Sequence, residues 1–259
     1  MDIKDKCLLW KNKEKIVMLT CYDYCTAKIM DNLVDFILVG DSLGMVVYGE
    51  KDTKSVTMEV IERHCKAVAR GSTNTHIVGD MPINTYNTPE VAIENAKRFI
   101  QAGAHSVKIE GCKEDVVKSL ITESIPVLGH LGLLPQTAEA FKVQGKTDED
   151  AEEILKQAKT LEKAGVYAIV LECIPNNLAK KITEAISIPT IGIGAGKDCD
   201  GQVLVIQDLL GMFTDFKPKF VKRYANLGEE TKKAIIEFNK DVKQGKFPTE
   251  EHSFKGYGK

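Results

Sequence analysis

The chain has 259 residues, with 35 Lys plus Arg against 37 Asp plus Glu. The resulting net charge of −2 gives no general field for a polyanion and argues against a nucleic-acid partner. Charged residues are 28% of the chain and the AVILMFWYC set 43%, which excludes a disordered chain and suits a soluble globule. Seven cysteines, an odd number without a C-x-x-C pair, argue against a disulfide framework or zinc knuckle and for a reducing compartment.

The first residues, Met1-Asp2-Ile3-Lys4-Asp5-Lys6, run on to Trp10 without an apolar core segment, so no standard signal peptide is expected. The longest apolar runs, such as Phe36-Ile37-Leu38-Val39, fall far short of the ~18 residues of a membrane helix. A cytoplasmic protein acting on small molecules, with no membrane or nucleic-acid partner, is the expectation. From there on, short apolar runs alternate with helical patterns. Strands are predicted at 16–20 and 35–39, then a helix from Thr57 to just before Gly71, then a strand at 75–78. Thr88-Pro89-Glu90 gives an N-cap, a proline at the first helical position and an acid in the first turn. Ala92, Ala96, Phe99 and Ile100 form the stripe of that helix, and Gly103 stops it. Strands follow at 106–109 and 126–128. Thr147-Asp148-Glu149-Asp150 opens a helix with the stripe Ala151, Ile154, Leu155, Ala158 and Leu161, closed by Gly165. Strands at 167–171 and 189–193 come next, then a weaker eighth at 220–224 and a charged closing helix from Gly228 to Lys246.

The predicted strands are continuously apolar, as expected of parallel strands buried on both faces. A faint repeat runs through them. Ala102-Gly103, a strand and Glu110 return as Ala164-Gly165, a strand and Glu172, while Val39-Gly40-Asp41 returns as Val78-Gly79-Asp80. Repeated strand–helix units over this length predict a (β/α)8 TIM barrel, with an open doubly wound sheet as the competitor. No linker divides the chain. A single barrel domain over 1–259 is expected, with a short N-terminal extension and a C-terminal tail.

In either architecture ligands bind beyond the carboxyl ends of the strands. Asp41-Ser42, Asp80, Lys108 with Glu110, His130 and Glu172 fall there. Asp41, Asp80 and Glu110 offer hard oxygen ligands without cysteine or paired histidines, a set that suits Mg²⁺; each is otherwise a helix N-cap. The recurrence of Val-Gly-Asp favours the ligand role for the two aspartates. Lys108 and Glu110, two apart, share one side of their strand. Lys108 is either a structural ion pair or a group holding substrate oxygens, and His130 is either packed, solvated or catalytic. Glu172 is either a free base, a further acid of the metal shell or an ion-pair partner. Gly192-Ile193-Gly194-Ala195-Gly196 is either a phosphate-cradling loop or a tight turn, and it lacks the G-x-G-x-x-G pattern. His64 is expected in the core, with His76 and His105 at the far end of their strands. Cys21 and Cys25 face one side of a helix start, which does not make a zinc site.

The segments Val39-Gly40-Asp41-Ser42-Leu43-Gly44-Met45, Val107-Lys108-Ile109-Glu110-Gly111, Gly129-His130-Leu131-Gly132-Leu133, Lys142-Val143-Gln144-Gly145, Val170-Leu171-Glu172-Cys173 and Ile191-Gly192-Ile193-Gly194-Ala195-Gly196 occur in this order. Together they resemble the ketopantoate hydroxymethyltransferase family, from Thr20-Cys21-Tyr22-Asp23 to Glu250-Glu251-His252-Ser253-Phe254. The resemblance implies a TIM barrel of the phosphoenolpyruvate/pyruvate type. It also implies transfer of a hydroxymethyl group from 5,10-methylenetetrahydrofolate to 3-methyl-2-oxobutanoate, through a Mg²⁺-stabilised enolate. By matching position, Asp41 and Asp80 would bind the metal, and Glu110 would complete its shell. Ser42 and Lys108 would hold substrate oxygens together with Asp41 and Asp80, His130 would lie close to the substrate, and Glu172 would be the base. A large homo-oligomer, a decamer in many members, is also implied. Two departures stand out. The loop before Lys142 is shorter than in the family, and Ile83 stands where an aromatic commonly follows Asp-x-Pro. Both bear on the cover of the site and on the pterin side. A carbon–carbon lyase or mutase on the same scaffold, a phosphate-binding barrel and a silent binding protein are the alternatives.

Overall fold

A computed structural model describes residues 2–254 and 256. Its main-chain contacts divide the chain into two units, Met1–Ile206 and Gln207–Lys259. The first unit runs α1 (Ile3–Trp10), β1 (Ile16–Thr20), α2 (Tyr24–Met30), β2 (Phe36–Val39), α3 (Leu43–Val46), α4 (Met58–Gly71), β3 (His76–Asp80), α5 (Pro89–Gln101) and β4 (Ser106–Glu110). It continues with α6 (Glu114–Thr122), β5 (Val127–Gly132), α7 (Asp148–Ala164), β6 (Ala168–Glu172), α8 (Asn176–Ala185), β7 (Thr190–Ile193) and β8 (Gly201–Leu204). The short α9 (Ile206–Leu209) spans the division, and the second unit carries α10 (Leu227–Lys243).

All eight strands are parallel and hydrogen-bond in sequence order, with β8 returning to β1. The sheet is therefore a closed (β/α)8 barrel rather than an open doubly wound one. The apolar runs are continuous because these strands are covered on both faces. β2 and β4 are buried along their whole length. The helix signals also operate as the residue types dictate. The Thr88 hydroxyl accepts the Val91 N–H ahead of α5, and the Thr147 hydroxyl accepts the Asp150 N–H ahead of α7. Ala92, Ala96 and Phe99 on α5, and Ile154, Ala158 and Leu161 on α7, are the buried stripes. Burying a side chain such as Phe99 contributes about 1.5–3 kcal/mol.

The eighth strand is a correction. It is Gly201–Leu204, not the predicted 220–224. Residues 220–224 form no strand; Lys222 and Tyr224 there are exposed. β8 begins with glycine, exposes Gln202 and is only four residues long, so it lacks the apolar run that marks the other strands. His64 is also not a core residue. It is half-buried on α4, with Nε2 2.9 Å from the Tyr48 hydroxyl and Nδ1 2.5 Å from the Tyr22 carbonyl oxygen.

The barrel interior is filled by Ile16, Met18, Phe36, Leu38, Val78, Leu128, Ala168, Val170, Ile191 and Val203, and α1 adds Ile3 and Cys7. Phe36 stacks on Tyr167 and meets the Trp10 ring edge-on, both with centroids 6.0 Å apart. At the same N-terminal end, buried Lys11 donates to Oδ2 of Asp200 at 2.8 Å and to the Thr183 carbonyl at 2.7 Å. The other end of the apolar filling is where inward positions become charged. In the second unit, α10 has no buried residue, and the Arg223 guanidinium donates to the Phe213 carbonyl at 3.0 Å. Among the described residues, no helix is long and apolar enough to cross a membrane.

Candidate active site

Strand register assembles the charged residues. Asp80 on β3 lies beside Lys108 on β4, Glu110 beside His130 on β5, and Gly132 beside Glu172 on β6. Neighbours in parallel register point to the same side, and alternate residues repeat it, so these side chains share the interior with Val78 and Leu128 one step below. Asp41 arrives differently. Val39 pairs with Gly79, which sets Asp41 one residue beyond the level of Asp80. The Val-Gly-Asp repeat is thus offset by one in the fold, and Asp41 lies in the turn after β2. None of these acids caps a helix: α3, α5, α6 and α8 are preceded by Ser42, Thr88, Lys113 and Pro175.

Asp41, Asp80, Lys108, Glu110 and His130 are all buried. Lys108 Nζ donates to Oδ1 of Asp80 at 2.6 Å and lies 3.8 Å from Oε1 of Glu110. Oδ2 of Asp80 accepts the main-chain N–H of Asp41 at 3.2 Å. Burial, then the Asp80 carboxylate, pushes the Asp41 carboxyl well above the usual range; Lys108 opposes this. Burial alone would lower Lys108, but Asp80, Glu110 and Asp41 outweigh it and raise it. Burial likewise works against the ionised Glu110, yet His130, Lys108 and the Gln136 N–H hold it below its ordinary value. Three buried carboxylates thus share one lysine.

His130 stands between two acids, with Nδ1 3.4 Å from Oε1 of Glu110 and Nε2 3.2 Å from Oε2 of Glu172. Both are ion-pair contacts, and neither is aligned as a hydrogen bond. Burial and Lys108 disfavour the imidazolium, but the two carboxylates prevail and raise His130 to about 9. Glu172 differs from the other acids in access. Its side chain keeps 16% of its surface open against 3% for Glu110, so a molecule at the strand ends can reach it. Its backbone sits tightly against β5. A Cβ on Gly132, at φ +95°, would fall 2.2 Å from the Glu172 carbonyl oxygen.

Ser42 is half-buried at the start of α3, with Oγ 2.8 Å from the Tyr22 hydroxyl. Two further residues that carry no chemical signature in the sequence belong to the cluster. Gln136, after β5, bonds Asp41 and Glu110, and Tyr86, before α5, bonds Gln136. An amide in a proline-containing loop and a tyrosine among Asn and Thr have no spacing that links them to acids 24 to 95 residues away, except through the fold. Gly192 and Ile193 end β7, and Gly194–Gly196 turn tightly away from it, with positive φ at both glycines. A Cβ on Gly196, at φ +84°, would lie 2.6 Å from Cβ of Asn176, and the Gly196 carbonyl accepts from Gln202 Nε2. Cys21 is buried and Cys25 exposed. Among the described residues, no three Asp, Glu, His or Cys side chains stand at metal-ligating spacing.

The sequence profile described as ketopantoate hydroxymethyltransferase matches residues 3–250. A 3-methyl-2-oxobutanoate hydroxymethyltransferase from Clostridium botulinum (strain Langeland) is 55% identical over 254 residues, covering 95% of this chain and 92% of that one. Another from Enterococcus faecalis is 54% identical over 250 residues, covering 93% and 91%. Among solved structures, 2,3-dimethylmalate lyase, a PEP mutase/isocitrate lyase superfamily member, superposes with a TM-score of 0.62 at 15% identity, over 97% of this chain and 93% of that one.

Proposed function

From the premise that the chain belongs to the ketopantoate hydroxymethyltransferase family, we propose that this enzyme moves a hydroxymethyl group from 5,10-methylenetetrahydrofolate to 3-methyl-2-oxobutanoate, giving 2-dehydropantoate, with Mg²⁺ bound and Glu172 as base. The observation that carries the reading is the division of the acids. Asp41, Asp80 and Glu110 are buried around one lysine, whereas Glu172 stands apart and open. The donor chemistry fits a hard divalent ion. All three side chains offer only oxygen, the crowding by Asp80 that helps raise the Asp41 carboxyl is what a cation between them would relieve, and buried Oε1 of Glu110 has no hydrogen-bond partner. Asp41 and Asp80 would hold the ion directly and Glu110 would complete its shell. When bound, it supplies Lewis-acid polarisation of the keto oxygen, worth several kcal/mol in barrier.

The chain's own residues supply the rest. Ser42 Oγ and Lys108 Nζ hold the carboxylate and keto oxygens of the oxo acid, with Asp41 and Asp80 beside them. Lys108 spends one N–H on Asp80 and keeps two for substrate. Its ammonium meets the negative charge that grows on the keto oxygen. Glu172 takes the proton from C3, next to the carbonyl, and that carbon then bonds the donor's one-carbon unit; both C–N bonds of the unit to the folate break, one water supplies the hydroxyl, and tetrahydrofolate leaves. General-base catalysis of this kind contributes about 10²–10⁴-fold. His130 fixes the Glu172 carboxylate from one side at 3.2 Å and leaves its open side to the substrate.

The test is formation of 2-dehydropantoate from 3-methyl-2-oxobutanoate and 5,10-methylenetetrahydrofolate, with and without chelator. Product that forms only with the folate present and stops on chelation supports the reading. Turnover of 2-oxo acids without folate favours the lyase or mutase alternative. The same reading places the enzyme in the cytoplasm as a homo-oligomer, decameric by family resemblance, which light scattering tests.

A further inference from the structure

Gln136 is wholly buried in the irregular stretch between β5 and α7. All hydrogen-bonding groups of its side chain are engaged. Nε2 donates to Oδ2 of Asp41 at 3.0 Å and to the Met81 carbonyl at 2.8 Å, and Oε1 accepts from the Tyr86 hydroxyl at 2.5 Å. The orientation of the amide follows from these partners. Reversed, its oxygen would face a carboxylate and a carbonyl, and its NH₂ would meet the hydroxyl. The Gln136 main-chain N–H donates to Oε2 of Glu110 at 3.2 Å. The Tyr86 hydroxyl accepts the Glu110 N–H at 3.4 Å, which closes the circuit.

One loop residue thereby ties the acid after β2, the main chain after β3 and the acid that ends β4. It engages one oxygen of each acid, leaving Asp41 Oδ1 and Glu110 Oε1 outside its grip. The residue type is restrictive. A Glu at 136 would set a third carboxyl against Asp41, and an aliphatic side chain would leave Oδ2 of Asp41 and the Met81 carbonyl without their donor.

We propose that Gln136 is a positioning residue that presents Asp41 and Glu110 to the divalent ion by their remaining oxygens, with Tyr86 locking the amide. This rests on the magnesium reading above. Gln136→Met keeps the length of the side chain and the main-chain bond to Glu110 but removes the three side-chain bonds. Calorimetry on the full chain is expected to show a Mg²⁺ Kd raised by about 10–100-fold. The lost kcat should return at saturating Mg²⁺, which a merely damaged fold would not allow. Tyr86→Phe, which removes one hydroxyl, should raise the Mg²⁺ Kd by about threefold to tenfold, the worth of one hydrogen bond. An unchanged Kd in folded Gln136→Met overturns the proposal, and if that variant does not fold, an unchanged Kd in Tyr86→Phe overturns it. Absence of Mg²⁺ binding by the wild type overturns the magnesium reading and this proposal together. Wild-type binding with identical variants overturns this proposal alone.

Discussion

The main-chain N–H of Asp41 donates to Oδ2 of Asp80 at 3.2 Å, so the turn after one strand is pinned by the acid that ends the next. That bond follows from the one-residue offset between β2 and β3, which brings a backbone donor of Asp41 to the level of the Asp80 carboxylate. Asp80 thus has both oxygens engaged, one by Lys108 and one by Asp41. The cluster is tied together on this side and open at Glu172.

Glu172→Gln keeps the size of the side chain and removes its ability to take a proton. The variant should still bind 3-methyl-2-oxobutanoate with Mg²⁺ and should lose exchange of the C3 proton in heavy water, with kcat down by about 10²–10⁴-fold. Proton NMR of the substrate checks this. Exchange at the wild-type rate removes Glu172 from the base role.

Lys11→Met cuts a buried ion pair and leaves Asp200 with only the Thr190 and Asn12 donors. Removing one partner of such a pair costs about 3–5 kcal/mol, because the other charge stays buried. Urea denaturation should show that loss. Because Lys11 lies at the end of the barrel away from the acids, kcat at low temperature should be unchanged while the protein stays folded. A variant as stable as wild type would show that the pair contributes nothing net.

His76 governs acid stability at the same end. Burial, then His105 and Lys6, pushes its imidazole down to about 3, and Nε2 lies 2.9 Å from Oγ of Ser106. In the unfolded chain the value is about 6.5. As pH falls below 6.5 the unfolded state takes a proton that the native state refuses, so stability present above 6.5 is lost progressively towards pH 3. Between pH 7 and 5 this one group should account for about 2 kcal/mol of lost stability. His76→Asn should flatten the pH dependence of the urea midpoint by that amount. An unchanged slope would show that His76 takes up its proton equally in the native and unfolded states.

The fold was legible wherever a strand is covered on both faces, because such strands are apolar without interruption. β8 was not, since glycine at its start and exposed Gln202 deny it that pattern. The charged cluster was legible for a related reason. Lys108 and Glu110 announce a shared side by parity alone, and each acid closes an apolar run. Gln136 and Tyr86 were not, for their role exists only after the strand ends converge. The offset between Asp41 and Asp80 was hidden too, since a sequence repeat carries no register and only the pairing of β2 with β3 decides their levels.

The pairing of β8 with β1 brings Ile16 to Gly201, the widest separation along the chain that any two neighbouring strands must bridge. Closing so long a loop is entropically costly, and contacts of this kind form late in folding. The charged side chains of the site all come from β3 to β6 and the turn after β2, none from the seam. A growing chain therefore carries every one of them before the ring can shut, as an open, edge-exposed sheet that Lys11 and Asp200 later bolt together. Native-state hydrogen exchange should find β8 amides opening at lower free energy than those of β5, and Lys11→Met should widen the difference. Equal opening energies would mean that the ring breaks only as a whole.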